Sequence, residues 1–294
     1  MDTVVSSASK TVTIGPEQPF CVIGERINPT GRSNFQDQLR AGDLSRIELD
    51  VAQQVAGGAT MLDVNMGVPL TDEAELLVAA VKLIQGCTDL PLVIDSSVVE
   101  ALEAALEVYQ GKALVNSVTG EQERLDEILP LVRRYGAAVI ALPNEEDEIP
   151  DDPHKRLEIT RKILDVAVGQ YDIPLADIVI DPLAMPIGAD TTLVNKTLDT
   201  IALIREEFGV NMILGASNVS FGMPNRHVLG ATFLPMAMRC GLTSAIMDCR
   251  TPTMVESVRA ADLLLGNDAW GGSWIAAHRA KLRAAAEATE AAAT

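Results

Sequence analysis

Phenylalanine, tyrosine and tryptophan make up only 3% of the chain, so any core it builds is aliphatic, drawn from Leu, Ile, Val, Ala and Met. Histidine occurs at His154, His227 and His278 alone, without HxH or HExxH spacing, and no metal site is expected. The four cysteines, Cys21, Cys87, Cys240 and Cys249, form no CxxC pair and no disulfide-framework spacing; they are expected as buried thiols. No apolar run is long enough to span a membrane. Residues 1–18 lack the basic and apolar segments of a signal peptide, so a cytoplasmic protein is expected. Bases are few, 23 against 41 acids, and the net charge of −18 argues against nucleic acid or an anionic membrane as partner. A Gly-rich phosphate loop is also missing: the first strand ends in Gly24-Glu25-Arg26-Ile27-Asn28, not GxGxxG. No Ser or Cys pairs with a His in a recognisable nucleophile motif.

What is present is aliphatic and repetitive. Hydrophobic residues fill 48% of the 294 positions, enough for a sizeable core. Short continuous apolar runs predict strands at Phe20–Glu25, Ala59–Asn65, Leu90–Ile94, Ala113–Val115, Ala137–Leu142, Ile178–Ile180, Met212–Leu214 and Ser244–Met247. Helix-period segments lie between them. Leu44, Ile47, Val51 and Val55 share one face and stop at Gly57-Gly58; Leu76, Leu77, Ala80, Val81 and Ile84 form the next. Further helices are expected over Val98–Gln110, Glu121–Gly136 (kinked by Pro130), His154–Val168, Leu193–Phe208, Asn225–Cys240 and Thr253–Leu265. Eight strand-then-helix units in roughly 250 residues predict a single-domain (β/α)8 TIM barrel rather than an open doubly wound sheet. The domain is expected over 19–278, with a loosely ordered Ser/Thr-rich tail at 1–18 and an Ala/Glu-rich tail, an exposed helix or frayed end, at 279–294.

The strands stop on carboxylates and carboxamides: Glu25 and Asn28, Asp63 and Asn65, Asp95, Asn116, Asn144, Asp181, Asn218 and Asp248. Singly, each is an ordinary turn or cap residue. In a barrel they converge on the C-terminal mouth. The stretch Asn211–Arg226 shows the pattern most clearly, an apolar strand running into a Gly/Ser/Asn turn before a helix. The set describes a pocket rich in hydrogen-bond acceptors with few cations, Arg26 and Arg226 being nearby. It suits a planar, neutral, nitrogen-rich heterocycle. An acidic loop at 145–152 follows the fifth strand and is expected to be a solvated loop at the mouth.

The motifs GERIN (Gly24–Asn28), LDVNMG (Leu62–Gly67), IDSS (Ile94–Ser97), VNS (Val115–Ser117), IDP (Ile180–Pro182), GASNVSFG (Gly215–Gly222) and Asn225-Arg226, taken in this order, resemble the pterin-binding methyltransferases. The likeness is to methyltetrahydrofolate:corrinoid protein methyltransferases and to the folate-binding domain of cobalamin-dependent methionine synthase. It runs from about Cys21 to Asn267. The resemblance implies a barrel that binds the pterin at its top, forms a homodimer, and moves the N5-methyl group between methyltetrahydrofolate and the cobalt of a corrinoid protein. It implies pterin contacts at Asp95, Asn116 and Asp181, first-strand contacts at Glu25 and Asn28, a ligand-contacting Arg226, and Asn218 near N5. Asn218 and Asp181 are the catalytic candidates. Phe221 stands where some corrinoid-protein methyltransferases carry Gln. The DxHxxG string of cobalamin-binding domains is incomplete, since Asp152-Pro153-His154-Lys155-Arg156-Leu157 lacks the Gly, so the corrinoid is expected on a partner protein. Two alternatives stay open: dihydropteroate synthase, whose basic GxSRK-like segment on strand seven reads Gly215–Val219 here, with Asn218 and Val219 in place of Arg and Lys, and a non-catalytic folate-binding module.

Overall fold

The computed structural model describes residues 1–145 and 149–292. Two short strands, β1 (Thr3–Ser6) and β2 (Thr11–Ile14), form an antiparallel hairpin. Eight parallel strands then close into one barrel: β3 (Cys21–Ile27), β4 (Met61–Asn65), β5 (Leu92–Asp95), β6 (Leu114–Thr119), β7 (Ala138–Leu142), β8 (Ile178–Ile180), β9 (Asn211–Gly215) and β10 (Ser244–Met247). The expected (β/α)8 barrel is thus the observed fold.

Around the barrel lie α1 (Ser33–Arg40), α2 (Ser45–Gly57), α3 (Glu73–Cys87), α4 (Val99–Val108), α5 (Gln122–Tyr135), α6 (Pro153–Gly169), α7 (Leu193–Phe208), α8 (Arg226–Cys240), α9 (Pro252–Leu265) and α10 (Gly272–Ala292). Local chemistry sets their ends. Gly58, at φ +95°, closes α2 in the left-handed conformation that a side chain would strain. The Asp72 carboxylate accepts from the Glu75 amide at 3.0 Å and caps α3. The α5 helix runs through Pro130.

The aliphatic core has two layers. The larger packs the outer strand faces against the helices; the smaller fills the barrel interior with Ile23, Met61, Val93, Leu114, Ala138, Val179 and Ile213. Both faces of each strand are therefore buried, which is why the strands read as unbroken apolar runs.

Several expectations need correction. Residues 1–18 do not form a loose tail: Val5 and Ile14 of the hairpin are fully buried in the barrel-interior cluster and plug its N-terminal end. The Asn211 amide, at the start of β9, donates to Thr3 Oγ1 at 2.9 Å and to the Ile14 carbonyl at 2.8 Å. Tyr109 Oη donates to the Ser6 carbonyl at 2.9 Å. The β-branched residues in Thr3–Val5 and Thr11–Ile14 form strands because an open barrel end offers an apolar surface to cover. Helix α1 lies in a stretch where no element was expected, and α10 begins at Gly272, so no structural break falls at 278/279. Of the cysteines, Cys21 and Cys249 are buried, Cys240 is half-buried, and Cys87, the last residue of α3, is exposed.

Candidate functional site

At the C-terminal mouth a cleft of about 370 Å³ brings together Glu25, Asn28, Asp95, Asn116, Asp181 and Asn218, six of the seven residues expected there, joined by Asp63 and Arg26. Its floor is apolar, formed by Ile140, Ile213 and Ile246. Strand register explains the convergence. Asn65 pairs with Asp95 across β4 and β5, and Asp95 with Asn116 across β5 and β6, so three polar residues share one level. Each strand turns from apolar to polar at the same height, where the packed interior gives way to the mouth.

The carboxylates stand in low-dielectric surroundings with few cations. Asp63 is buried, and Asn116 Nδ2 donates to its Oδ1 at 3.3 Å. Burial pushes the Asp63 pKa well up, and the neighbouring charge of Asp95 adds to the shift. Burial likewise raises Asp95 to about 6, opposed by a hydrogen bond from Asn65 and reinforced by Glu73. Asp181 is pushed up to about 7 by burial, with the Leu183 amide and the Arg156 charge acting in the other direction. The Leu183 amide donates to Asp181 Oδ1 at 2.8 Å, in an Asx turn that fixes the carboxyl group at the cleft. Glu25 is also raised, chiefly by burial, against a hydrogen bond from Ser217.

Two residues that support the site carry no sequence signal of a role. Arg156 on α6 is fully buried; its guanidinium donates to the carbonyls of Pro150, Pro182 and Leu183, at 2.7, 2.8 and 2.9 Å, and braces the loop that holds Asp181. Within the string read above as an incomplete corrinoid motif, it is a structural cation. Gln54 on α2 accepts from the Arg26 amide at 2.8 Å and fits because Gly24 has no side chain. The pairing of β3 with β4 is irregular between Gly24 and Ile27, so this bond supports the strand where the ladder is interrupted.

Arg226 does not line the cleft. Its Nη2 donates to the Ser217 carbonyl at 2.7 Å, while Ser217 Oγ donates to Glu25 Oε2 at 2.8 Å. Ser217 is held from both sides, and the next residue is Asn218, first of a 3-10 turn. The Asn218 side chain is exposed at the mouth and makes no hydrogen bond among the described residues. A Cβ at Gly215 would lie 2.9 Å from Asn218 Nδ2, so glycine there makes room for the amide. The backbone of Asn218 is thus anchored while its carboxamide is free to engage a ligand.

In the acidic loop, Glu145 pairs with Lys162, Asp151 with Lys196 at 3.2 Å, and Asp152 caps α6 through the His154 amide at 3.0 Å. Glu146, Asp147 and Glu148 lie outside the described residues. No group of three or more His, Cys, Asp or Glu arranged to hold a metal occurs among the described residues, and no helix there is long and apolar enough to cross a membrane.

An apolar floor under a ring of hydrogen-bonding groups fits a flat heterocycle bearing N–H donors. The model of the pterin-binding enzyme family matches residues 24–248, from the first barrel strand to the end of the last. The chain belongs to the pterin-binding enzyme family. It is 30% identical over 253 residues to a methylcorrinoid:tetrahydrofolate methyltransferase of Eubacterium limosum, covering 84% of this chain and 92% of that one. It is also 30% identical to the methionine synthase of Mycobacterium tuberculosis over 256 residues, 83% of this chain but only 21% of that protein. Among solved structures, a dihydropteroate synthase from Xanthomonas albilineans with 4-aminobenzoic acid superposes with a TM-score of 0.68 at 17% identity, over 89% of this chain and 98% of that one. At that identity the likeness is one of fold.

Proposed function

We propose that this chain is a methyltransferase that moves a methyl group between N5 of tetrahydrofolate and the cobalt of a corrinoid carried by a partner protein. The observation that carries this reading is the convergence of Asp95, Asn116, Asp181 and Asn218 on one cleft. The relationship to the Eubacterium limosum methyltransferase, which spans most of both chains, supports it. A homodimer belongs to the same reading, and sedimentation of the purified chain tests it.

Each residue has a physical task in this scheme. Asp95 and Asp181 accept hydrogen bonds from the N–H groups of the pterin, and Asn116, already donating to Asp63, offers its carbonyl oxygen to the ring. These contacts fix the ring so that N5 faces the open mouth, and orientation lowers the entropic part of the barrier. In the direction toward the corrinoid, cob(I) is itself the nucleophile and the C–N bond breaks with its electron pair returning to N5. A tertiary amine leaves poorly unless N5 is protonated or strongly hydrogen-bonded as that bond breaks. Asn218 supplies a hydrogen-bonding group that grips the protonated, transition-state-like N5 more strongly than the ground state, and this difference is what accelerates the step. In reverse, N5 attacks the methyl group, the carbon–cobalt pair returns to the metal as cob(I), the N5 proton passes to solvent, and the same contact steadies the same transition state.

Stopped-flow mixing of the protein and methyltetrahydrofolate with a cob(I) corrinoid is expected to show loss of the cob(I) spectrum as methylated corrinoid forms. Tight folate binding with no transfer to any free or protein-bound cob(I) corrinoid would replace this reading with that of a folate-binding module.

A further inference from the structure

Arg156 stands behind the cleft and not in it. It is fully buried on α6 and does not line the mouth, yet the loop it grips is the one that carries Asp181. Its Nη1 donates to the Pro182 carbonyl at 2.8 Å and to the Leu183 carbonyl at 2.9 Å, while Nε donates to the Pro150 carbonyl at 2.7 Å. Thr197 Oγ1 adds a bond to the Leu183 carbonyl at 3.3 Å. The Leu183 amide donates to Asp181 Oδ1 at 2.8 Å. Leu183 is thus held at both its amide and its carbonyl, at φ +64°, a left-handed conformation that leucine seldom adopts without such restraint. With Oδ1 of Asp181 committed to the turn, Oδ2 is the oxygen left to meet a ligand.

Bracing carbonyls does not by itself call for a charge. A neutral donor would serve them, and a buried guanidinium is unfavourable: burial is the largest influence on Arg156 and lowers its pKa. Among the described residues no carboxylate forms an ion pair with it, and its Nη2 has no acceptor. The charges it faces are Asp151, itself paired with Lys196 at 3.2 Å, and Asp181. In the same cleft stand the acids Glu25 on β3, Asp63 on β4 and Asp95 on β5, with the cations Arg26 and Arg32 on and just after β3. The charges that bear on Asp63 and Asp95 are those of neighbouring acids. Of these three aspartates, Asp181 alone has a buried positive charge behind it.

Resting on the function proposed above, we infer that Arg156 is a positioning residue for the pterin, acting through Asp181: it fixes the turn that presents Oδ2 to the cleft and places a positive charge behind that carboxyl group. Pterin N–H donors favour an ionised carboxylate, and burial opposes one. The cation tips this balance toward the ionised form from outside the cleft, where it does not compete with the ring's own N–H groups for Asp181. The competing explanation is that Arg156 only holds the fold, tying the loops after β7 and β8 to α6. That role predicts lower thermal stability and a loss of folate affinity that is the same at every pH.

Calorimetric titration of the full chain with methyltetrahydrofolate across the neutral range of pH separates the two. Affinity of the unaltered protein should rise with pH and level off above about 7, where Asp181 is ionised before the ligand arrives. In Arg156→Gln the levelling-off point should move up by about one pH unit, which lowers affinity about fivefold at pH 7 and hardly at all near pH 9. Arg156→Met, which fills the buried space without a charge, carries the same expectation and serves if the glutamine variant does not fold. Arg156→Lys keeps the charge but cannot span three carbonyls, so its levelling-off point should stay in place while affinity falls several-fold at every pH. In an Asp181→Asn background, Arg156→Gln should no longer alter the pH dependence. A levelling-off point that stays put in the neutral variants, or that rises as far in Arg156→Lys or in the Asp181→Asn background, overturns the inference and leaves the pterin cleft standing. Failure of the unaltered protein to bind methyltetrahydrofolate at any pH overturns the proposed function with it.

Discussion

The two ends of this barrel are built on opposite terms. At the N-terminal end the β1–β2 hairpin drives Val5 and Ile14 into the interior, and the Asn211 amide finds oxygen acceptors on it. At the C-terminal end Glu25, Asp63, Asp95 and Asp181 are drawn into protein with few cations to meet them, and burial raises the pKa of each. The first arrangement lowers the energy of the folded chain. The second raises it, because each carboxylate is buried with a hydrogen bond but little opposite charge to offset its desolvation. A fold in which one end is optimised for stability can carry strain of this electrostatic kind at the other.

Substitutions at the two ends should therefore separate stability from activity. The largest effect is expected at the plug. Ile14→Ala removes a fully buried side chain and should cost about 2–5 kcal/mol of unfolding free energy. Its single-turnover transfer rate at saturating folate should stay within about twofold of the unaltered protein; a rate that falls in step with stability would mean the two ends are coupled. At the mouth the pattern should invert. Asn218→Ala should slow methyl transfer by about 10²–10³, the usual consequence of losing one transition-state hydrogen bond, with little change in melting temperature because the side chain is exposed. If binding weakens but transfer at saturation is unchanged, Asn218 only positions the substrate.

A third substitution sharpens the contrast through pH. Asp181 has a folded pKa raised from 3.8 to about 7, so the native state holds its proton more firmly than the unfolded chain does. Its contribution to stability is fully present below about pH 4 and is lost as pH rises toward and through 7. Asp181→Asn should flatten that decline, raising stability at pH 8 while weakening methyltetrahydrofolate by about 1–3 kcal/mol. Because pterin N–H donors favour the ionised carboxylates, binding between pH 5 and 7 should release protons, detectable by calorimetry in buffers of different ionisation enthalpy. An unchanged heat across such buffers would remove Asp95 and Asp181 from the binding step.

The smallest effect is expected at Arg226. Its bond to the Ser217 carbonyl predicts a positioning role exerted through the Asn218 turn. Arg226→Met should lower the transfer rate at saturation by several-fold with little change in folate affinity, and Arg226→Lys should restore part of it, since an ammonium group can still donate to the carbonyl. Weakened folate binding with an unchanged transfer rate would instead return Arg226 to a ligand-contacting role.

Much of this was legible without coordinates. Apolar runs bounded by polar stops, spaced by helix-period segments, carry both the barrel and the level of its mouth. Glu25, Asn28, Asp95, Asn116, Asp181 and Asn218 share a cleft because each lies where the apolar run of a strand gives way to polar residues, a pattern visible along the chain. The bond of Arg226 to the Ser217 carbonyl was not legible, because a motif records which residue is present and not which way its side chain turns. Arg156 was passed over because a lone arginine on a helix ordinarily signals a solvated face, yet here a turn of α6 carries it beneath the β8 loop.

By itself, then, the sequence determined the period and order of the elements, the aliphatic character of the core, and the residues offered at the strand ends, since these depend on neighbours along the chain. Only the tertiary structure decided that residues 1–18 close the barrel, that Ser217 is clamped between Glu25 and Arg226, and that Arg250, Arg259 and Lys281 line one groove. Those arrangements join residues as far apart as Thr3 and Asn211, 208 positions along the chain. What brings such groups together is closure of the barrel, a packing constraint that no local pattern encodes.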